Sequence, residues 1–286
     1  MHTQTEVGKW KAGHAAACGS DEHKSLRMKL AEIRVSDIGW RLVLPVLVLS
    51  IWYVATDVLN LTHPVILPSP TRVIRAFMRL ATSGELLTNI GASLMRIFYA
   101  NCAALALGIP LGLAMGLYKP VERLCDGILS LVRPIPPLAW VPLSILWLGI
   151  GALSVTFITF LAAFFAVLIN TTAGAHGIDK QLVRAAQCLG ASQRRLMTRV
   201  ILPSVAPAIF TGFRVAIGVS WMSIVAAELI AAPSGLGYMI MYYREVLRTD
   251  AIIVGMLTIG VIGLAMDFGT RWLERRLLPW RTGFRL

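Results

Sequence analysis

Three charged residues lie where the surrounding sequence is apolar: Arg133, Arg214 and Glu228. An unpartnered charge at the centre of a bilayer costs at least about 2.5 kcal/mol, so such residues mark substrate or ion paths by default. The two arginines could offset the charge of an anion in transit. The competing reading of Arg133, in RPIPPLAWVP, is a Pro-kinked packing helix whose guanidinium reaches the headgroups. Glu228, in AAELIAA, needs a partner or water. Arg214 lies fourteen residues away, about 21 Å along a helix. The partner is therefore expected on another helix, unless the carboxylate sits wet at the outer interface.

A second kind of chemistry is carried by RAAQCLGASQRRLMTRVILP, from Arg184 to Pro203, with four arginines and no acid. Upstream, Ile178, Leu182, Ala185, Ala186 and Leu189 recur at helical spacing, Asp179 can cap the start, and Gly190 suits a left-handed end. Leu196, Val200 and Ile201 then share one side of a second amphipathic segment. Pro203 and Pro207 suggest that a new helix begins there. The result is a hairpin over 178–203, held parallel to the membrane. Its small Ala185–Ala186 pair lets another protein approach closely, in the helix-in-groove manner. The competing reading is a helix lying on anionic lipid.

The elements that hold these residues are membrane helices. Of 286 residues, 56% are hydrophobic and 15% charged, and mean hydropathy is +0.69. A span needs about 20 mostly apolar residues. Six segments qualify: 40–60, 97–118, 127–148, 151–173, 208–231 and 251–272. Backbone groups in lipid must pair within their own segment, so these are helices and the protein is all-α. Pro45, Pro110, Pro136, Pro137 and Pro142 are compatible with kinked spans. The net charge is +12, and the apolar blocks direct it to membrane surfaces rather than nucleic acid. Nineteen Lys and Arg lie in segments that would be inside if both termini are inside, against six outside. That places both termini and the hairpin in the cytoplasm. Residues 1–36 are polar, lack a signal peptide's apolar core, and are expected to form a mobile cytoplasmic tail ahead of a transmembrane domain over 37–286.

Smaller features fill in the bundle. HPVILPSPTRVIRAFMRL, in the long segment 61–96, reads as a Pro-rich entry to a short interfacial helix. Gly108, Gly112 and Gly116 form a close-packing ladder. PSGLGY at 233–238 is a break that forms an outer gate or a turn. Four cysteines lack C-x-x-C spacing, and no metal site is expected.

At these residues the chain resembles the membrane subunits of bacterial ABC importers. That family carries E-A-A, three residues, Gly, nine residues and I-x-L-P. Here the spacing is met by Arg184, Ala185, Ala186, Gly190, Val200, Ile201, Leu202 and Pro203. Arg184 stands for the usual Glu and Val200 for Ile. The reversed charge puts any salt bridge at that position in question, while docking by shape is retained. LPSP at 67–70, RPIPPLAWVPL at 133–143, AAELIAAPSGLGYMI at 226–240 and LERRLLPW at 273–280 resemble the subgroup that imports nitrate, sulfonates, taurine or bicarbonate.

The resemblance implies a type I importer permease fold of six transmembrane helices, with the coupling hairpin between spans four and five. It implies a second permease copy, two cytoplasmic ATPase subunits and an external binding protein, in a bacterial inner membrane. ATP and magnesium would sit on the ATPases and not on this chain, which has no G-x-x-x-x-G-K-[ST] loop. Arg184, Ala185, Ala186, Gly190, Leu202 and Pro203 would couple to the ATPase; Arg133, Arg214 and Glu228 are the candidates for the path. The alternative is an ion-coupled carrier with Glu228, Asp267 and Arg214 as a relay, but no inverted pair of broken helices supports it. A membrane enzyme is disfavoured: H-E-x-x-H, G-x-S-x-G and paired carboxylates are missing.

Overall fold

The computed structural model describes residues 43–59, 61, 63 and 65–277. The expected tail over 1–36 lies outside them. The chain forms two units, Met1–Pro64 and Val65–Leu286. In the first, α1 (Val43–Val58) is a short apolar helix ending in a π turn, with the Thr56 hydroxyl returned to the Trp52 carbonyl at 2.7 Å. It covers most of the span expected at 40–60.

The second unit consists of helices joined by turns and short loops in its described residues. The order is α2 (Pro70–Thr82), α3 (Glu85–Leu117), α4 (Lys119–Val132), a 3-10 turn (Pro137–Trp140) leading into α5 (Val141–Leu148), α6 (Ala152–His176), α7 (Lys180–Cys188), α8 (Gln193–Leu196), α9 (Leu202–Ala231), α10 (Leu236–Glu245) and α11 (Thr249–Leu277). Among the described residues, four helices are long and apolar enough to cross a membrane: α3, α6, the α8–α9 run and α11; the bent pair α4–α5 would make a fifth.

Three helices form the centre. α6 packs on α3 and on α9, around buried Ala104, Ala163, Val167 and Ala216. The glycine ladder is the reason α3 comes so close. Gly108 faces Val167, Gly112 faces Thr171 and Gly116 faces Ala175, so α3 and α6 run parallel in matched register. A Cβ on Gly112 would lie 2.8 Å from the Thr171 Cβ. Gly212 brings α9 against Asn170 of α6 in the same way. Across the α3–α9 seam the Asn101 amide donates to the Ser220 hydroxyl at 3.1 Å. α11 is tied to α9 by the Trp221 indole, which donates to the Ile259 carbonyl at 3.1 Å.

Three boundaries differ from the sequence expectation. The helix expected from residue 97 starts at Glu85 and has 33 residues. That is about 50 Å of rise, against ~30 Å of hydrocarbon. Its first third is polar enough to read as loop, yet it is helical because its polar face has partners. The span expected at 127–148 is not one helix: the chain turns by 84° between α4 and Pro137. Pro134, Pro136 and Pro137 supply no N–H for a continuing ladder. Finally, α9 starts at Leu202 with Pro203 in its first turn, as expected, but without a break from the segment before it. α8, a π turn (Met197–Ile201) and α9 run as a single 39-residue helix, Gln193–Ala231. The wider π turn, closed by the Leu202 N–H on the Met197 carbonyl, absorbs the missing proline N–H.

Candidate functional site: a hairpin and two ion pairs

The hairpin joins α6 to α9 and defines one end of the bundle. Asp179 caps α7 by accepting from the Gln181 N–H at 2.8 Å. Gly190 stops the helix with φ +78°, and no atom would crowd a Cβ there, so the requirement for glycine is conformational. Ser192 caps α8 by accepting from the Arg195 N–H. Beneath lie Ala175, Leu196, Ile201 and Val205, all buried, with Val183 and Ala186 packed against them.

The two small residues of the hairpin therefore face different ways. Ala186 is half-buried against its own chain, while Ala185 is exposed. Beside Ala185 stand Leu182, 50% exposed, and Leu189, 89% exposed. Arg184 is exposed and makes no ion pair among the described residues. Leu202 is half-buried and Pro203 exposed. Pro203 borders a groove of about 520 Å³ with Leu182, Arg199, Val200, Ser204 and Pro207.

At the opposite end, Glu228 is fully buried, 0% exposed at its side chain. Its partner is Arg96 of α3, whose Nη1 lies 2.6 Å from Oε1. The Ser93 hydroxyl donates to the same carboxylate at 2.9 Å, and the Gly237 N–H donates to it at 3.0 Å. Arg96 further donates to the Ser234 carbonyl and hydroxyl, both at 2.7 Å. The Asn89 side chain accepts from the Gly235 N–H at 2.8 Å, and the Ser93 hydroxyl accepts from the Leu236 N–H at 3.0 Å. Gly235, at φ +114°, packs on the Glu228 carboxylate, where any Cβ would collide with it.

The PSGLGY break is thus a loop whose backbone is satisfied side chain by side chain. α10 follows it and lies against α3, pinned at its far end where the Tyr243 hydroxyl donates to Glu85 at 2.9 Å. Burial and that carboxylate push the Tyr243 phenol up to about 12, so it remains a donor. By hydropathy alone Arg96 falls just before the span expected from residue 97. Asn89, Ser93 and Arg96, at spacings of four and three, form the polar face that would have revealed it.

Arg214 belongs to a separate pair. Its Nη2 lies 3.4 Å from Asp267 of α11, and the Arg271 side chain lies 2.8 Å from the same carboxylate. All three are partly exposed. Arg133 caps α4 at the 84° bend, exposed and without an ionic partner among the described residues. Glu228 and Arg214 each have their own counter-ion, about 21 Å apart along α9, so they do not form one relay.

A glycine-sealed bundle of apolar helices, with charged groups paired inside it and a capped amphipathic hairpin at one end, defines a membrane permease. The chain belongs to the family described as binding-protein-dependent transport system inner membrane component, which its residues 108–279 match. It is accordingly a multi-pass inner-membrane permease of the ABC importer class. The taurine transport system permease of Escherichia coli is 42% identical over 242 residues, covering 83% of this chain and 87% of that protein. The nitrate import permease of Synechocystis is 32% identical over 222 residues, covering 74% and 81%. An inward-facing structure of the MetNI methionine ABC transporter has the same fold, with TM-score 0.54 at 18% identity, covering 65% of this chain and 94% of that one.

Proposed function

We propose that two copies of this chain form the path of an ATP-driven importer for a small anion of the nitrate, sulfonate or taurine class. An external binding protein delivers the anion at the α10 end. Two ATPase subunits bind the hairpin at the other end, which is cytoplasmic together with both termini. The observation that carries this reading is the hairpin's exposed apolar face, Leu182, Ala185 and Leu189, on a helix capped at both ends. A rigid, pre-formed helix with outward leucines suits insertion into a groove of a partner. Gly190 ends that helix, Ala186 packs it on its own core, and Leu202 and Pro203 begin α9 behind it. ATP moves the permease only if the ATPase prefers one of its conformations. Arg133 and Arg214 are the path's cations. Glu228 acts indirectly, by positioning the loop at 233–237.

The test is co-purification after co-expression with the ATPase of the same operon. Leu189→Asp and Leu182→Asp should insert in the membrane and lose the ATPase. Retention of the ATPase by the double variant would overturn the reading. Arg184→Glu separates charge from shape: it weakens assembly if the partner offers an acid there, and is silent if shape alone matters.

A further inference from the structure

We infer that Arg214, Asp267 and Arg271 form an oxyanion-binding station on the path, near its hairpin end, with the two guanidiniums as ligands and Asp267 as the residue that positions them. This rests on the anion-permease reading and names where on this chain the anion is held. One carboxylate takes both cations: Arg271 at 2.8 Å and Arg214 at 3.4 Å. The three side chains sum to +1, with Glu274 one turn further along α11, and two guanidiniums that present ten N–H donors between them are not exhausted by one carboxylate. Planar, forked donors match nitrate, sulfonate or carboxylate oxygens in pairs. Elsewhere the balance is one to one, as in Arg96 with Glu228 and Arg248 with Asp250.

The cluster sits at the edge of an exposed apolar face. On α11, the exposed large apolar side chains Val261, Leu264, Phe268 and Trp272 recur at three and four and share one face. Asp267 and Arg271 border that face, three residues on from Leu264 and Phe268, with Thr270 and Glu274 further round the helix. On α9, Arg214 sits one turn from Thr211 and from Gly218, and nothing lies within 4 Å of the position of a Cβ on Gly218. The Arg214 and Asp267 side chains are both 39% exposed, open to a solute and shielded enough to strengthen a charge. Depth agrees between the two helices. Arg214 lies seventeen residues from the end of α9 and Asp267 eighteen from the start of α11, each about 26 Å from the α10 end. An anion that has crossed most of the ~30 Å hydrocarbon would meet them last.

The test uses the full chain with Cys18, Cys102, Cys125 and Cys188 replaced by Ser and a reporter thiol introduced by Gly218→Cys. It is reconstituted with its ATPase, and the thiol is titrated with anionic and cationic methanethiosulfonates. One net charge about 6 Å away in a partly solvated site alters each reagent's local concentration by roughly three- to tenfold. The anionic reagent should therefore react faster. That preference should fall at least about threefold in Arg214→Gln and in Arg271→Gln, and rise in Asp267→Asn. Millimolar nitrate or taurine should slow the reaction in the parent and not in Arg271→Gln. In uptake assays Arg271→Lys should retain more activity than Arg271→Gln, with KM raised in both. A thiol inert to both reagents would put the cluster against lipid or protein and overturn the inference. So would a rate ratio unmoved by the charge changes. Either failure leaves ATPase co-purification intact, and so is distinct from failure of the importer reading.

Discussion

Arg96→Met should be the most damaging single substitution outside the helix seams. It removes the cation from a carboxylate with no exposed surface and leaves Glu228 only Ser93 and the Gly237 N–H. It also strips the Ser234 carbonyl and hydroxyl of their donors. Breaking a buried pair from one side costs about 3–5 kcal/mol. At about 2–4 °C per kcal/mol for a chain of this size, the melting temperature should fall by roughly 6–20 °C. The assay is thermal unfolding in detergent, followed by intrinsic fluorescence. The double variant Arg96→Met/Glu228→Leu should recover part of the loss, because no unpaired charge stays buried, and the cycle should return a coupling of at least about 1 kcal/mol. A single-variant shift within about 2 °C, or additive singles, would refute the view that this pair holds the loop to α3.

Gly112→Val should cost about 1–3 kcal/mol by forcing α3 off Thr171, read as a lower melting temperature with insertion retained. At Gly190 nothing crowds the side-chain position, so Asn should be tolerated while Val costs about 1–2 kcal/mol from the left-handed backbone; ATPase co-purification and melting together check this. Alkaline titration followed at 295 nm should contain a tyrosine component near 12 that disappears in Tyr243→Phe. Its folded value lies above its ordinary 10.0, so the stability it contributes is present below about pH 10 and is lost as pH rises towards 12.

What could be read from the sequence was local. The cap at Asp179, the left-handed Gly190 and the amphipathic α2 follow from side chains acting on their own backbone, and all were legible. The glycine ladder was legible as a packing device, although its partner α6 was not. The start of α3 was hidden because hydropathy measures affinity for lipid, and residues 85–96 are helical through affinity for the loop at 234–237. The bend after α4 was hidden because clustered prolines permit either a kinked helix or a turn. The inward Ala186 and outward Ala185 required knowing which side of α7 met the rest of the chain. Arg96 and Glu228, 132 residues apart, could be joined only by the fold.

The 39 helical residues from Gln193 to Ala231 carry a mechanical consequence. A rod about 58 Å long that pivots near its middle, where Gly212 and Ser220 bear on α6 and α3, has two arms of nearly equal length. A tilt of 10° driven from the Gln193 tip would swing the Ala231 tip by about 5 Å the opposite way, with no residue along it changing secondary structure. Its soft joints, the π turn at Met197–Ile201 and the prolines Pro203 and Pro207, all lie in the driven arm. The far arm, with Glu228 near its end, has no proline and moves as one piece.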